Sequence, residues 1–260
     1  MNLLEILREQ KKSKISGQLY AQTQKELAYN SNRIEGSTLT KEQTSLLYDD
    51  GIVSKDGKFN DYVEMRNHFR LFDFMLDTAE EPLTEDLIKK YHKILKSGTE
   101  DAELDWFAVG DYKKEPNVIG WDTITSPVDE VPSNMKSLIE HYKVSEFSDI
   151  VDFHARFEKI HPFQDGNGRV GRIIMFKECL KNGFTPPIVL DSQRRSYYNG
   201  LAAYYEHPQK LIRTMEKFQR QYQKTVDSFV SAKTENSEEA ESKQESQHMG
   251  ADHTLVMDIK

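Results

Sequence analysis

The chain has 260 residues, 37% hydrophobic and 30% charged, with a net charge of −8 at pH 7. That length suits one large soluble domain or two small ones, and no segment is basic enough to make nucleic acid the default partner. A single cysteine, Cys179, excludes an internal disulfide framework and a cysteine-based zinc cluster.

Leu3, Leu4, Ile6 and Leu7 precede a charged run, which predicts a short amphipathic helix rather than a signal peptide. No apolar stretch approaches bilayer length, so the expected compartment is the cytoplasm, with no membrane partner. Residues 1–58 read as helical pieces broken at Gly36 and Gly51, an N-terminal region beside a core at 59–231. Within that region Ser31-Asn32-Arg33-Ile34-Glu35-Gly36 reads as the last turn of a helix, with Ser31 and Glu35 four apart on one face. Apolar spacing then predicts helices over Asn60–Thr78, Thr84–Leu95, Ser133–Tyr142 and Asp149–Ile160, with Thr84 as an N-cap. Another starts near Asn167 and stops at Gly183, with Cys179 on its inward face. Two more cover Ser192–Glu206 and Pro208–Ser231. The exception is Gly110–Pro132, where apolar residues sit among turn-formers without helical period and a short β-hairpin is expected. Residues 232–260 are rich in Glu, Ser and Gln, carry a net −4, and read as a disordered acidic tail. The expected fold class is all-α with one short hairpin.

The run His161-Pro162-Phe163-Gln164-Asp165-Gly166-Asn167-Gly168-Arg169-Val170-Gly171-Arg172 concentrates chemistry. Asp-Gly-Asn-Gly alone is ordinary turn composition. A calcium loop fails because Val170 stands where glycine is needed and Arg169 where an oxygen ligand is needed. Gly166-x-Gly168-x-x-Gly171, with Asp191 twenty residues on, matches a dinucleotide fingerprint but lacks the strand that should lead into it. A polyphosphate site fits better. Glycine amides entering a helix N-terminus make an anion nest, and Arg169 and Arg172 can project from one side of its first turns. Asp165 can hold Mg²⁺, and His161 can take a proton from an attacking hydroxyl.

His161 to Arg172 fills every fixed position of the Fic family signature, His-Pro-Phe-x-[Asp/Glu/Asn]-Gly-Asn-Gly-Arg-x-x-Arg, and the chain closely resembles that family from about residue 20 to about residue 225. The resemblance implies an all-α Fic-type helical bundle with a hairpin flap. It implies transfer of AMP from ATP to a Tyr, Thr or Ser hydroxyl of a target protein, or of the chain itself, with release of pyrophosphate. His161 would be the base and Asp165 the Mg²⁺ ligand. Asn167 and the amides of Gly166 and Gly168 would hold the α-phosphate, and Arg169 and Arg172 the β- and γ-phosphates. Gly168 favours AMP transfer over the phosphorylation typical of the Doc branch. Val118, Ile119 and Gly120 would form the flap strip facing nucleotide and target. Tyr197 and Tyr198 resemble tyrosines that flank the base, with Tyr205 where some relatives have Asn. Residues 31–36 resemble the family's inhibitory motif, [Ser/Thr]-x-x-x-Glu-[Gly/Asn], which implies that Glu35 pairs with Arg172 and silences the resting enzyme. Same-fold alternatives are transfer of UMP, phosphate or phosphocholine, or removal of AMP. A regulatory binding module is the non-enzyme alternative, and homodimers are common among relatives.

Overall fold

The computed structural model describes residues 2–13, 15, 17–119 and 123–251; of 118–119, 123–124 and 232–251 only the backbone is described. It is helical, as the periodicity predicts. In chain order come α1 (Leu3–Ser13), α2 (Leu19–Ile34), α3 (Lys41–Asp50), α4 (Phe59–Asp77) and α5 (Glu85–Lys96). Then follow α6 (Val131–Glu140), α7 (Phe147–Ile160), α8 (Asn167–Lys181), α9 (Arg194–Ala202) and α10 (Pro208–Ala251). The predicted boundaries fall within a few residues of these, except at two places. The segment expected as Ser192–Glu206 splits into a 3₁₀ turn at Asp191–Gln193 and the shorter α9. In addition, α10 runs on through Ala251, across most of the stretch that read as disordered. Low hydrophobicity suggested disorder there, but its Glu, Lys, Gln and Ala are also strong helix formers. Residues 252–260 lie outside the described residues.

Local signals explain the element ends. The Thr84 hydroxyl accepts the Leu87 N–H at 3.2 Å, so Thr84 caps α5 as expected. Thr40 and Gln43 form a reciprocal capping box on α3. In the 110–132 stretch, β1 (Val118–Ile119) and β2 (Thr123–Ile124) pair antiparallel, Val118 opposite Ile124 and Ile119 opposite Thr123. Gly120 and Trp121 lie outside the described residues.

The chain divides after Tyr222 into two compact units. The N-terminal helices share the first unit with α4–α9. There α8 is the central rod, packed by α1, α2, α4, α5 and α7. Its residues from Arg169 to Leu180 are all buried. Expected as an amphipathic helix with one apolar stripe, it is enclosed on every side, because its polar residues find partners indoors. Lys177 Nζ, for example, binds Glu178 Oε1 at 2.7 Å and the Glu81 carbonyl at 2.8 Å. One apolar cluster joins Ile34 of α2 to Ile150 and Val151 of α7, Met175 and Cys179 of α8, and Leu211 and Met215 of α10. Cys179 is fully buried, as its predicted face requires. This core fixes the end of α2 against the N-terminal half of α8, which is where the polar groups converge. Among the described residues no helix is long and apolar enough to cross a membrane.

Candidate active site

The signature run forms the tight loop between α7 and α8. His161 ends α7 in the left-handed region at φ 53°, ψ 60°, while its N–H still bonds the Phe157 carbonyl at 2.9 Å. This conformation is uncommon for a side-chain-bearing residue, and His is among the few that adopt it repeatedly. The imidazole Nδ1 lies 3.2 Å from the Glu158 carbonyl. A carbonyl only accepts, so Nδ1 carries the proton and Nε2 keeps its lone pair. Burial, with the Lys113 charge adding to it, holds the His161 pKa below the usual imidazole value. A neutral imidazole with an unprotonated Nε2 is the form a general base needs.

Pro162 and Phe163 are buried and moor the loop to its surroundings. The Pro162 carbonyl accepts the Lys113 N–H at 2.8 Å, and the Phe163 ring stacks on His92 with centroids 4.0 Å apart. The Asn167 side chain closes the turn by accepting the Phe163 N–H at 2.8 Å and donating to the Phe163 carbonyl at 2.7 Å. The Asn167 side chain, expected on the α-phosphate, is therefore spent on shaping the loop, and its contribution to an anion site falls to its backbone N–H. Gly166 precedes α8 with φ 82°, a conformation that favours glycine, and offers no side-chain cap. The first-turn N–H groups of α8 are thus left to whatever anion docks there.

Arg169 and Arg172, both 2% exposed, flank that helix end. Arg169 Nη2 binds Asp165 Oδ2 at 2.8 Å and its Nη1 binds Glu64. Arg172 Nε bonds the Ser31 hydroxyl at 2.9 Å, and its Nη2 bonds the Ser31 carbonyl at 3.0 Å and Glu35 Oε1 at 2.7 Å. The pairing of Glu35 with Arg172 expected from the 31–36 segment is present. Arg172 Nη1 and Arg169 Nε, by contrast, have no hydrogen-bond partner among the described residues. Two orphaned guanidinium donors beside an uncapped helix N-terminus describe a pocket built for more negative charge than the protein supplies. The Glu35 carboxylate intrudes on that pocket: a Cβ added at Gly168 would meet Glu35 Oε1 at 2.2 Å and Arg172 Nη1 at 2.9 Å. Only glycine leaves Glu35 room over the first turn of α8.

Asp165 belongs to a larger network than the signature suggests. Lys96 Nζ, fully buried, lies 2.7 Å from each of Asp165 Oδ2, Glu64 Oε1 and Asp101 Oδ2. Burial alone would raise the Asp165 pKa, but Arg169 and Lys96 outweigh it and hold the carboxyl well below the usual range. His92 Nε2 lies 3.1 Å from the Asp165 carbonyl, and its Nδ1 accepts the Gly110 N–H at 2.9 Å. The carboxylates of Glu64, Asp101 and Asp165 lie within 4.8 Å of one another, a donor set hard enough for Mg²⁺. Lys96 already supplies a cation to all three. Asp165, whose side chain is 44% exposed, is the one with carboxylate surface left to reach a metal carried in with phosphates.

The aromatic residues separate. Tyr198 is 41% exposed, and its hydroxyl lies 3.4 Å from the Ile34 carbonyl, beside Glu35. Tyr197, expected to flank a base, is corrected to a core residue: it is 1% exposed, and its hydroxyl is 2.8 Å from His154 Nε2. Adjacent helical positions point about 100° apart, so only one of the two can face the site. Tyr205 is 62% exposed and lines a groove with Arg156 and Asp152 between α6 and α7. Val118 and Ile119 form β1, and Gly120 lies outside the described residues. Sequence reading missed Lys96, His92, Glu64, Lys113 and Asn117. Of these only His92 and Lys96, spaced i, i+4 on the buried face of α5, left a signal.

The model of the Fic/DOC family matches residues 82–179. Residues 82–179 are a Fic/DOC domain. This domain holds α5, the hairpin, α6, α7 and most of α8; Ser31 and Glu35 lie before it. Proteins named protein adenylyltransferase Fic are similar to the chain: that of Drosophila virilis is 26% identical over 184 residues, 66% of this chain and 36% of that protein. That of Drosophila mojavensis is 28% identical over 185 residues, 66% of this chain and 35% of that protein. The match thus spans about a third of the length of these curated relatives. Among solved structures, a Fic-domain-containing signaling protein from Bacteroides thetaiotaomicron is 27% identical with a TM-score of 0.64, covering 76% of this chain and 80% of that one. Fic-1 from C. elegans shares the fold at 20% identity and a TM-score of 0.66, covering 90% of this chain and 72% of that one.

Proposed function

We propose that the chain transfers AMP from ATP to a hydroxyl side chain of a protein target, and that Glu35 holds it at rest. The observation that carries this reading is the anion pocket at the start of α8, with its orphaned Arg172 donor and its intruding Glu35 carboxylate. The relatives named adenylyltransferases support the choice of nucleotide and transferred group.

In this reading the N–H groups of Gly166, Asn167, Gly168 and Arg169 receive phosphate oxygens, and Arg169 and Arg172 receive the outer phosphates. The target hydroxyl gives its proton to His161 Nε2 while its oxygen bonds to the α-phosphorus. The bond from that phosphorus to the α,β-bridging oxygen breaks, and pyrophosphate leaves. Asp165 would hold Mg²⁺, which neutralises phosphate charge when bound. Glu35 opposes all of this by occupying Arg172 and by setting a carboxylate where phosphate charge belongs, so bound ATP is held out of line. The metal, the target, self-modification and dimerisation are parts of the same proposal.

The test is label transfer from α-phosphate-labelled ATP with Mg²⁺ and candidate target protein. Wild type, Glu35→Gly and Glu35→Gly/His161→Ala are compared. Label on protein from Glu35→Gly, at roughly a hundredfold the wild-type rate and lost with His161, is the expected result. Equal labelling by wild type and Glu35→Gly defeats the inhibitory role. Transfer from γ-labelled but not α-labelled ATP moves the chain to phosphorylation.

A further inference from the structure

Lys113 is a buried cation that the proposed reaction leaves unused. It is 2% exposed, and its ammonium bonds Asn117 Oδ1 at 2.7 Å and Thr125 Oγ1 at 2.8 Å. No carboxylate lies within ion-pair distance of it among the described residues. Buried lysines are normally paired, and each buried lysine elsewhere in the described core, Lys96 and Lys177, has an acid at 2.7 Å. An unpaired one is an expensive feature that calls for a cause. Its surroundings supply one. Thr125 Oγ1 also bonds the Asn117 carbonyl and Oδ1, both at 2.8 Å, so Lys113, Asn117 and Thr125 form a knot that joins the residue before β1 to the residue after β2. The knot is moored to the base-bearing loop twice: the Lys113 N–H bonds the Pro162 carbonyl at 2.8 Å, and Asn117 Nδ2 bonds the Phe163 carbonyl at 2.9 Å. Those carbonyls belong to the two residues that follow His161.

We infer that Lys113 is a positioning residue for His161, its ammonium locking the hairpin base that its own N–H and Asn117 tie to the loop bearing the base, and acting as a positive charge on the imidazole through the imidazole's titration range. The inference rests on the AMP-transfer reading for its functional meaning. Its physical content does not: the charge acts on His161 whatever the substrate. The groups that bear on the imidazole are the Glu158 carbonyl from α7, Lys113 from the hairpin base, Glu35 from α2 and Asp165 from its own loop. The first and the two carboxylates favour the imidazolium; Lys113 opposes them, in the same sense as burial. Burial without an acid partner lowers Lys113 itself to about 8, so it remains charged where an imidazole titrates. Removing the charge therefore raises the His161 pKa and extends the inactive, protonated form to higher pH.

The test uses the full chain carrying Glu35→Gly, with Lys113→Met, Lys113→Gln or Thr125→Val added. Histidine ring NMR follows the imidazole, identified as the resonance lost in Glu35→Gly/His161→Ala, and label transfer is measured from pH 5 to pH 8. With Lys113→Met the His161 midpoint moves up, the acid limb of transfer moves up with it, and the rate at pH 6 relative to pH 8 drops at least about twofold. Lys113→Gln, which keeps an amide donor for Asn117 and Thr125, does the same and carries the test if the Met variant fails to fold. Thr125→Val loosens the knot with the charge retained and leaves the midpoint in place. An unmoved midpoint in the two Lys113 variants overturns the inference, as does a midpoint that Thr125→Val moves equally. If Glu35→Gly transfers no label at all, the transferase reading falls, and the imidazole titration decides the role of Lys113 by itself.

Discussion

A Cβ at Gly168 would stand 2.2 Å from Glu35 Oε1, so residue 168 and residue 35 compete for one volume. This makes a sharp prediction. In the wild type, Gly168→Ala pushes the carboxylate off Arg172, and the strain outweighs the helix propensity that Ala gains over Gly. With Glu35→Gly in place the shorter clash is gone and only Arg172 Nη1, at 2.9 Å, must give way, so the same Ala costs less than in the wild type. Denaturant melts of the four proteins should give a coupling of about 1–2 kcal/mol, and additive effects would show that the two positions do not share space. Transfer should stay silent in Gly168→Ala/Glu35→Gly, because the methyl group occupies the anion pocket that Glu35 vacated. His161 obeys the same logic at its own position. Its left-handed backbone is uncommon, and it is held because Phe157 and Glu158 at the end of α7 bind its N–H and Nδ1.

At the scale of elements, the decisive contact is between the end of α2 and the start of α8. Three bonds from Arg172 cross it, two to Ser31 and one to Glu35, while Arg169 reaches Asn32 at 3.3 Å. Ser31 is 1% exposed, so its hydroxyl is part of the grip and not a surface decoration. Ser31→Ala leaves Arg172 Nε without a partner in a buried site, a loss of about 1–3 kcal/mol. The latch should loosen without opening fully. Basal labelling should rise by roughly tenfold, less than with Glu35→Gly; labelling no higher than wild type would confine the inhibitory work to the carboxylate. The same α2–α8 contact explains why an enclosed helix carries so many charged residues. Arg169 and Arg172 are buried by other elements rather than by apolar neighbours of their own, and their ionised state depends on Glu64, Asp165 and Glu35.

Over the whole molecule, buried titratable groups set the response to pH. Burial lowers His68, His92 and His154 to about 3 each, so all three stay neutral in the fold. Their contribution is complete above the ordinary imidazole value near pH 6.5 and is lost as pH falls toward 3, because the unfolded chain takes up protons that the fold refuses. Glu158 acts oppositely. Burial, with the Glu35 charge adding to it and Arg172 opposing, raises it to about 8, so the folded chain keeps a proton that the unfolded chain releases above about pH 4.5. Its contribution is complete below that value and is lost as pH rises toward 8. Between about pH 4.5 and 6.5 these three histidines, with the lowered His161 acting in the same sense, outweigh the one proton of Glu158 and stability climbs. From about pH 6.5 Glu158 dominates and stability declines, until Lys113, lowered to about 8 by burial, begins to release its proton in the fold and opposes the decline. Equilibrium unfolding from pH 4 to pH 9 should therefore peak between about pH 6 and 7. Glu158→Gln should flatten the alkaline side by a few kcal/mol, and an unchanged alkaline slope would reject this assignment of Glu158.

Much of this was legible from residues alone. The helices announce themselves through apolar spacing, caps such as Thr84, and glycines at their ends, because those signals act between residues three or four apart. The twelve residues from His161 to Arg172 are legible for the same reason: one tight loop entering one helix brings imidazole, carboxylate, amides and arginines together without help from elsewhere. The tail at 232–251 misled because low hydrophobicity and high helix propensity coexist in one composition. What the tertiary structure decided is everything that crosses between elements. Lys96 meets Asp165 across 69 residues and Lys113 is tied to Pro162 across the hairpin base, while Tyr197 turns into the core and Tyr198 toward Glu35. Glu35 reaches Arg172 across 137 residues, a pairing the family resemblance named and the packing of α2 on α8 brings about. Spacing along a chain cannot encode such contacts, because burial of α8 by the helices around it, and not local geometry, determines which charges are forced to share one pocket.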